Sequence, residues 1–270
     1  MSRTIRQITR SLSARRNYDF PGQTLQPPHR KQSVPIAALL MILTGLAAAC
    51  GKAALPEVTR YPWPVSTVSP ELYLGSNCSD EYYFRVCAPQ SPLGRLGCRQ
   101  VFRPPESLGG LTPSIPLLVC RVEPAQGESL LQDEYIVNQG CSKAFYLRYV
   151  IGREGSYQLI RNIADLKAVF APIETPAEAI SYAAAATGYT PFFGHQPQPG
   201  LRYFVNRLEE THAVESSQGY RVNLVDERVC GCGPHTVYGI EITVTRDGEV
   251  SAGSPQPLYQ DPSLDDACFN

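Results

Sequence analysis

The sequence lacks an apolar run of membrane-spanning length: its most apolar stretch, residues 34–49, has 16 residues, whereas a helical span needs about 20 to cross roughly 30 Å of hydrocarbon. Histidine is scarce, four residues in all, and none of them lies beside a nucleophile or at a metal-pair spacing. H-E-x-x-H and G-x-S-x-G do not occur, and residues 45–52 have the wrong spacing for a phosphate loop. These absences remove the zinc-protease helix, the serine-hydrolase elbow and the P-loop from the candidate chemistries. Basic residues are sparse after position 50, where 17 Lys and Arg stand against 24 Asp and Glu, a formal charge of about −7. Binding a phosphate backbone needs clustered cations to displace counterions, so nucleic acid is set aside as a partner.

Among 270 residues, 43% are hydrophobic and 18% charged, enough to bury a core in one large domain or two small ones. The 24 Pro, 21 Gly and 15 Tyr favour strands and turns over long helices.

The first 50 residues have a different character. Arg3, Arg6, Arg10, Arg15, Arg16, Arg30 and Lys31 are opposed by Asp19 alone, and the apolar VPIAALLMILTGLAAA follows them. A basic leader ahead of a short apolar run that ends in small residues is the pattern of a signal peptide, over 1–49. Leu46-Ala47-Ala48-Ala49-Cys50-Gly51 resembles the lipobox of bacterial lipoproteins, with Ala47 three places before the cysteine and Leu46 one place earlier. The resemblance implies that Cys50 is acylated, as with palmitate, and becomes the mature N-terminus. In a Gram-negative cell, Gly51 rather than Asp after the cysteine implies outer-membrane sorting. Several acyl chains on one residue meet the requirement that stable anchoring takes more than one chain. The competing readings are soluble secretion after a cut near Ala49, or retention of the apolar run as a short anchor.

Residues 50–70 carry four prolines after the cysteine and little hydrophobic periodicity, so they read as a lipidated cysteine and a Pro-rich tether. In a polyproline-like form at about 3.1 Å per residue, such a segment reaches up to roughly 60 Å. The competing reading docks its second half on the body through Tyr61, Trp63 and Val65.

Residues 71–270 read as one disulfide-linked, β-rich α+β body with subregions at about 71–162 and 163–270. Strand-length runs (LYLGS, EYYFRVCA, IPLLVCRVE, DEYIVN, KAFYLRYV, SYQLIRN) alternate with Gly, Pro and Ser in the first. Gly152-Arg153-Glu154-Gly155 predicts a hairpin loop, as does Ser216-Ser217-Gln218-Gly219. Thr175-Pro176-Ala177-Glu178 carries a cap, a first-turn proline and a third-position Glu, and Gly188 stands beyond, so one Ala-rich helix is expected to pack on an antiparallel sheet. A shorter helix over about 163–170 takes Asn162 as its cap. In 237–246, Tyr238, Ile240, Ile242 and Val244 alternate with more polar residues, the period of a half-buried strand. The order of elements over 163–255 resembles cystatin-like or PepSY-like modules, and 230–247 is similar to uncharacterised bacterial exported proteins; neither resemblance implies an activity.

With Cys50 lipidated, Cys78, Cys87, Cys98, Cys120, Cys141, Cys230, Cys232 and Cys268 remain, an even set that predicts a disulfide framework in an exported protein. Five lie in 78–141 and three in 230–268, so full pairing demands at least one bridge between the two regions. Cys230-Gly231-Cys232-Gly233-Pro234-His235 is the one local cluster with chemical potential. Two thiolates and an imidazole could begin a metal site, with His212 as a contributor, or a redox dithiol near Arg228. The structural reading gives each thiol a distant partner and leaves the glycines and Pro234 to build a turn. His195 and His212 read as surface or structural groups, Glu209 and Glu210 as a solvated strand face rather than paired catalytic carboxylates, and Tyr189, Phe192 and Phe193 as a binding surface beside a Pro-rich loop, with core packing of Phe192 or Phe193 as the competing reading.

The sequence thus leads to a membrane-anchored lipoprotein of the cell envelope, non-catalytic and without a cofactor, that contacts the membrane through its N-terminal lipid and binds an envelope protein or plays a structural role. The alternatives are a thiol-redox or metal-binding protein using Cys230, Cys232 and His235, and a cystatin-like peptide-binding or inhibitory module.

Overall fold

The computed structural model describes residues 54–64, 67–124, 129–141, 144–153 and 155–269. The expected signal peptide, the expected lipidation site Cys50, Gly51, and Val65 of the expected tether lie outside these residues. Strand β1 (Glu57–Thr59) comes first and a helical turn, α1 (Glu71–Leu74), follows. Then β2 (Ser79–Asp80), β3 (Arg85–Val86), the short helix α2 (Pro92–Arg95), β4 (Gln100–Phe102), β5 (Leu117–Val122), β6 (Val137–Gln139), β7 (Phe145–Arg153) and β8 (Ser156–Ile160) run in sequence. These strands form an antiparallel sheet in the order β2-β3-β4-β5-β7-β6, with β8 also on β7.

Two helices, α3 (Ile163–Phe170) and α4 (Pro176–Thr187), lead into the second half. There β9 (Arg202–Tyr203), β10 (Arg207–Glu209), β11 (Ala213–Ser216), β12 (Gly219–Asp226), β13 (Gly231–Cys232), β14 (Thr236–Thr245), β15 (Val250–Ala252), β16 (Gln256–Gln260) and β17 (Cys268–Phe269) follow one another. The second antiparallel sheet has the order β11-β12-β14-β16-β9, with β15 on β14; β1 pairs with β10 in parallel, and β13 pairs with β17.

The fold is therefore β-rich α+β, and its organising element is α4. Thr175 Oγ1 accepts from the Glu178 N–H at 3.2 Å, and Glu178 Oε2 reaches back to the Glu174 N–H at 2.8 Å. Gly188, at φ 71°, closes the helix in the left-handed conformation that glycine adopts without strain. Burial pushes the Glu178 carboxyl above its usual range, against the pull of the backbone donors at Glu174 and Thr175. Every residue from Glu178 to Ala186 is buried, and a helix enclosed all round must be covered on opposite sides. Tyr149 of β7 donates to the Ala185 carbonyl at 2.9 Å on one side; on the other, Tyr182 donates to Gly248 between β14 and β15, also at 2.9 Å. Leu117, Val119 and Ile151 of the first sheet and Val222, Leu224 and Ile242 of the second thus belong to one core. The expected antiparallel sheet against the Ala-rich helix is present, and a second sheet covers the helix's other side, where the small alanine methyls let it approach.

Ala185 lies on the fully enclosed part of this helix. Ala185→Leu, at a side chain with no exposed surface, is expected to cost about 1–3 kcal/mol by overpacking. Urea unfolding would register this as a lower midpoint; an unchanged midpoint would mean that the helix can shift between the sheets.

Both expected hairpins form, closed by the Arg153–Ser156 and Ser216–Gly219 pairs, but Gly152, expected in the first loop, is paired to Tyr157 within β7. Alternation in β14 buries Ile240, Ile242 and Val244 but leaves Tyr238, near the start of the strand, exposed; beside it the pairing with β16 skips Leu258. Other short runs depart from expectation. LYLGS is the turn α1, bracketed by Pro70 and Gly75, and EYYFRVCA contributes only β3, with Tyr82 and Tyr83 exposed ahead of it.

Four disulfides tie the framework: Cys78–Cys87, Cys98–Cys120, Cys141–Cys230 and Cys232–Cys268. Cys141–Cys230 is the bridge between the two regions that the cysteine count demanded.

Candidate functional site

The expected tether does not extend through 57–63, and its docking gathers several of the polar candidates. β1 adds to β10 with Glu57 opposite Arg207 and Thr59 opposite Glu209. The strap is held next by Glu210, which is buried while its neighbour Glu209 faces solvent. Strand alternation separates the pair, so the reading of both as a solvated face fails for Glu210. Glu210 Oε1 accepts from Arg60 Nη1 at 2.7 Å and from the Gly194 N–H at 2.9 Å, and Oε2 accepts from the Tyr61 N–H at 3.1 Å. A buried carboxylate persists only when paired and hydrogen-bonded, and these three donors supply both conditions.

Aromatic contacts extend the junction. The Tyr61 ring stacks on His212 at 3.9 Å between centroids, and Trp63 stacks on Phe193 at 4.8 Å. His212 Nδ1 donates to the Glu210 carbonyl at 2.9 Å, and its backbone N–H donates to Asn223 Oδ1 at 2.7 Å. Phe192 is buried with Leu208 and Val225, and Thr211 Oγ1 accepts its N–H at 2.8 Å. Arg60 Nη2 also reaches the His195 carbonyl at 3.3 Å. Burial, and then the Arg60 cation, hold the His195 imidazole below its usual range, which keeps it neutral near pH 7. Glu210 is occupied in fastening the strap, and His212 in orienting the strand below it. Such an arrangement fixes chain and presents no nucleophile.

Tyr189 does not join Phe192 and Phe193 in one surface. It lines a cleft of about 250 Å³ with Arg103, Val137, Tyr149 and Gly188, and the Arg228 guanidinium lies 5.5 Å from its ring centroid.

The cysteine-histidine segment is built as a double staple. Cys230 is bonded to Cys141 and Cys232 to Cys268, directly opposite it in the β13–β17 pair. Gly231 and Gly233 adopt φ of 76° and 101°, the turn conformations that only glycine takes freely. His235 is buried, donates from Nε2 to the Ala267 carbonyl at 3.1 Å and meets the Phe269 ring edge-on. Dithiol or metal chemistry at Cys230, Cys232 and His235 would require both bridges to open first, since only a thiolate attacks or ligates. Among the described residues no group of three or more His, Cys, Asp and Glu is placed to hold a metal ion.

Sequence reading missed the Arg60–Glu210 pair, whose partners are 150 residues apart. The available signal was Tyr61 and Trp63, large aromatics in an otherwise tether-like segment. Compared with protein-family models, with curated proteins and with solved structures, the chain matches none.

Proposed function

We propose that the protein is a lipid-anchored component of a bacterial cell envelope, held by acyl chains on Cys50, and that its exported body binds another envelope component or has a structural role rather than a catalytic one. In a Gram-negative cell the Gly51 signal directs it to the outer membrane. The observation that carries this reading is the cysteine arithmetic. The eight cysteines beyond Cys50 pair exclusively with one another, so the ninth, in the lipobox-like sequence, has no thiol left to join. Four disulfides also suit an oxidising compartment and not a reducing cytosol. The junction and staple described above fasten chain to chain, which favours a binding or scaffolding role.

Mass spectrometry of the protein purified from its native membrane, without reduction, tests the reading. A mature N-terminus at acylated Cys50 with four intact bridges is expected. An unmodified Cys50 would overturn the anchor, and free thiols or metal at Cys230 and Cys232 would revive the redox or metal-binding alternative.

A further inference from the structure

The docked strap shortens the leash of the proposed anchor and so sets which part of the body meets the lipid. Between Cys50 and Glu57, even a fully extended chain spans at most about 25 Å at 3.3–3.6 Å per residue. Residues 57–63 supply no extra reach, because β1 is paired to β10 and Arg60 and Tyr61 are fastened to Glu210. A domain of roughly 220 residues has a radius of gyration near 17 Å and is about 45 Å across. The margin where the strap joins the body therefore belongs to the membrane-side half.

That margin carries exposed apolar side chains. Leu55, 46% exposed, opens the strap beside Asn206 and Arg207; Phe204, 47% exposed, precedes them by two residues; Trp63, 56% exposed, closes the strap against Phe193. Arg60 and Arg207, with side chains 53% and 63% exposed, stand in the same segments, and the Glu57 carboxylate is 3.5 Å from Arg207.

We infer that this margin rests in the headgroup layer of the bilayer, with Leu55, Trp63 and Phe204 as interfacial side chains that add a second membrane contact to the acyl chains. The inference rests on the lipid-anchor reading. Indole is the side chain best suited to this layer, since its ring is apolar and its N–H needs a polar partner. The Arg207 stem lies along this apolar surface and its guanidinium, in a loose exposed pair with Glu57, reaches phosphate, while Arg60 stays on Glu210. The occupant is thus a phospholipid interface rather than a protein groove.

Trp63 is the only tryptophan in the chain, which makes the test direct. The lipidated protein, purified from its membrane, is reconstituted into phosphatidylethanolamine–phosphatidylglycerol vesicles carrying a headgroup-proximal spin label. Trp63 emission is expected to shift to the blue and to lose intensity to the label. Trp63→Phe combined with Phe204→Trp supplies a second reporter, expected to respond in the same way. Emission that ignores the label at both positions, or that shifts to the blue without quenching as a protein neighbour would cause, overturns the inference. The acyl mass on Cys50 from the same sample separates the two failures: acylated protein with unquenched reporters sinks the interfacial contact alone, whereas unacylated Cys50 sinks the anchor and this contact with it.

Discussion

Replacing Cys141 and Cys230 together by serine is expected to lower the unfolding free energy by about 4–5 kcal/mol, the largest loss from any of the four bridges. In the chain-entropy account, a cross-link stabilises by removing conformations from the unfolded chain, and the gain grows with the logarithm of the loop. This bridge closes 89 residues, against 36, 22 and 9 for the others. The same account assigns about 3 kcal/mol to Cys78–Cys87. Both members of the long bridge lie at exposed positions, so serine leaves no cavity to confuse the comparison. Urea unfolding of the unreduced variants measures the difference. A loss no larger than that of the Cys78→Ser, Cys87→Ser variant would mean that the two halves are held by the shared core and not by this bond.

The second large effect belongs to Glu210→Ala. Truncation strands the Gly194 and Tyr61 N–H groups and removes the counter-charge of Arg60. Breaking a fully buried ion pair from one side costs about 3–5 kcal/mol. The Arg60 side chain is 53% exposed and can return to water, which brings the expectation down to about 2–3 kcal/mol. The strap should loosen before the body unfolds. Two local readouts follow that: tryptic cleavage after Arg60 at denaturant concentrations where the rest resists, and a red shift of Trp63 emission as its stack on Phe193 opens. Glu210→Gln keeps an acceptor for one or two of the N–H groups and should fall between wild type and Ala. If Arg60 stays protected in Glu210→Ala, then the β1–β10 pairing alone holds the strap.

What was legible in the sequence was local. α4 announced itself because its cap, its first-turn proline and its terminating glycine all lie within the helix or next to it. The same holds for Asn162, whose side chain accepts from the Asp165 N–H at 2.9 Å, and for the turn glycines of the hairpins. Cysteine parity reached further, since a count of five and three forces a link across regions wherever the partners fall. The rest depended on distant encounters. Nothing in Glu209-Glu210-Thr211-His212 distinguishes the buried carboxylate from its exposed neighbour until β1 arrives from 150 residues away. Alanines around the whole circumference of α4 could have indicated a second covering sheet, had the helix been read as a cylinder rather than as a single stripe.

The disulfide order has a consequence for biogenesis. Taken along the chain, the first cysteine of the body bonds to the second, the third to the fourth, the fifth to the sixth and the seventh to the eighth. Eight thiols admit 105 complete pairings, and this is the one that forms when a chain emerges N-terminus first and each thiol is oxidised with the next to appear. Cys141 alone has a long wait, through the whole of α3, α4 and β12, before Cys230 arrives. A cell making this protein needs an electron acceptor for four bonds, and oxidation of each thiol with the next to appear is enough to reach this pairing.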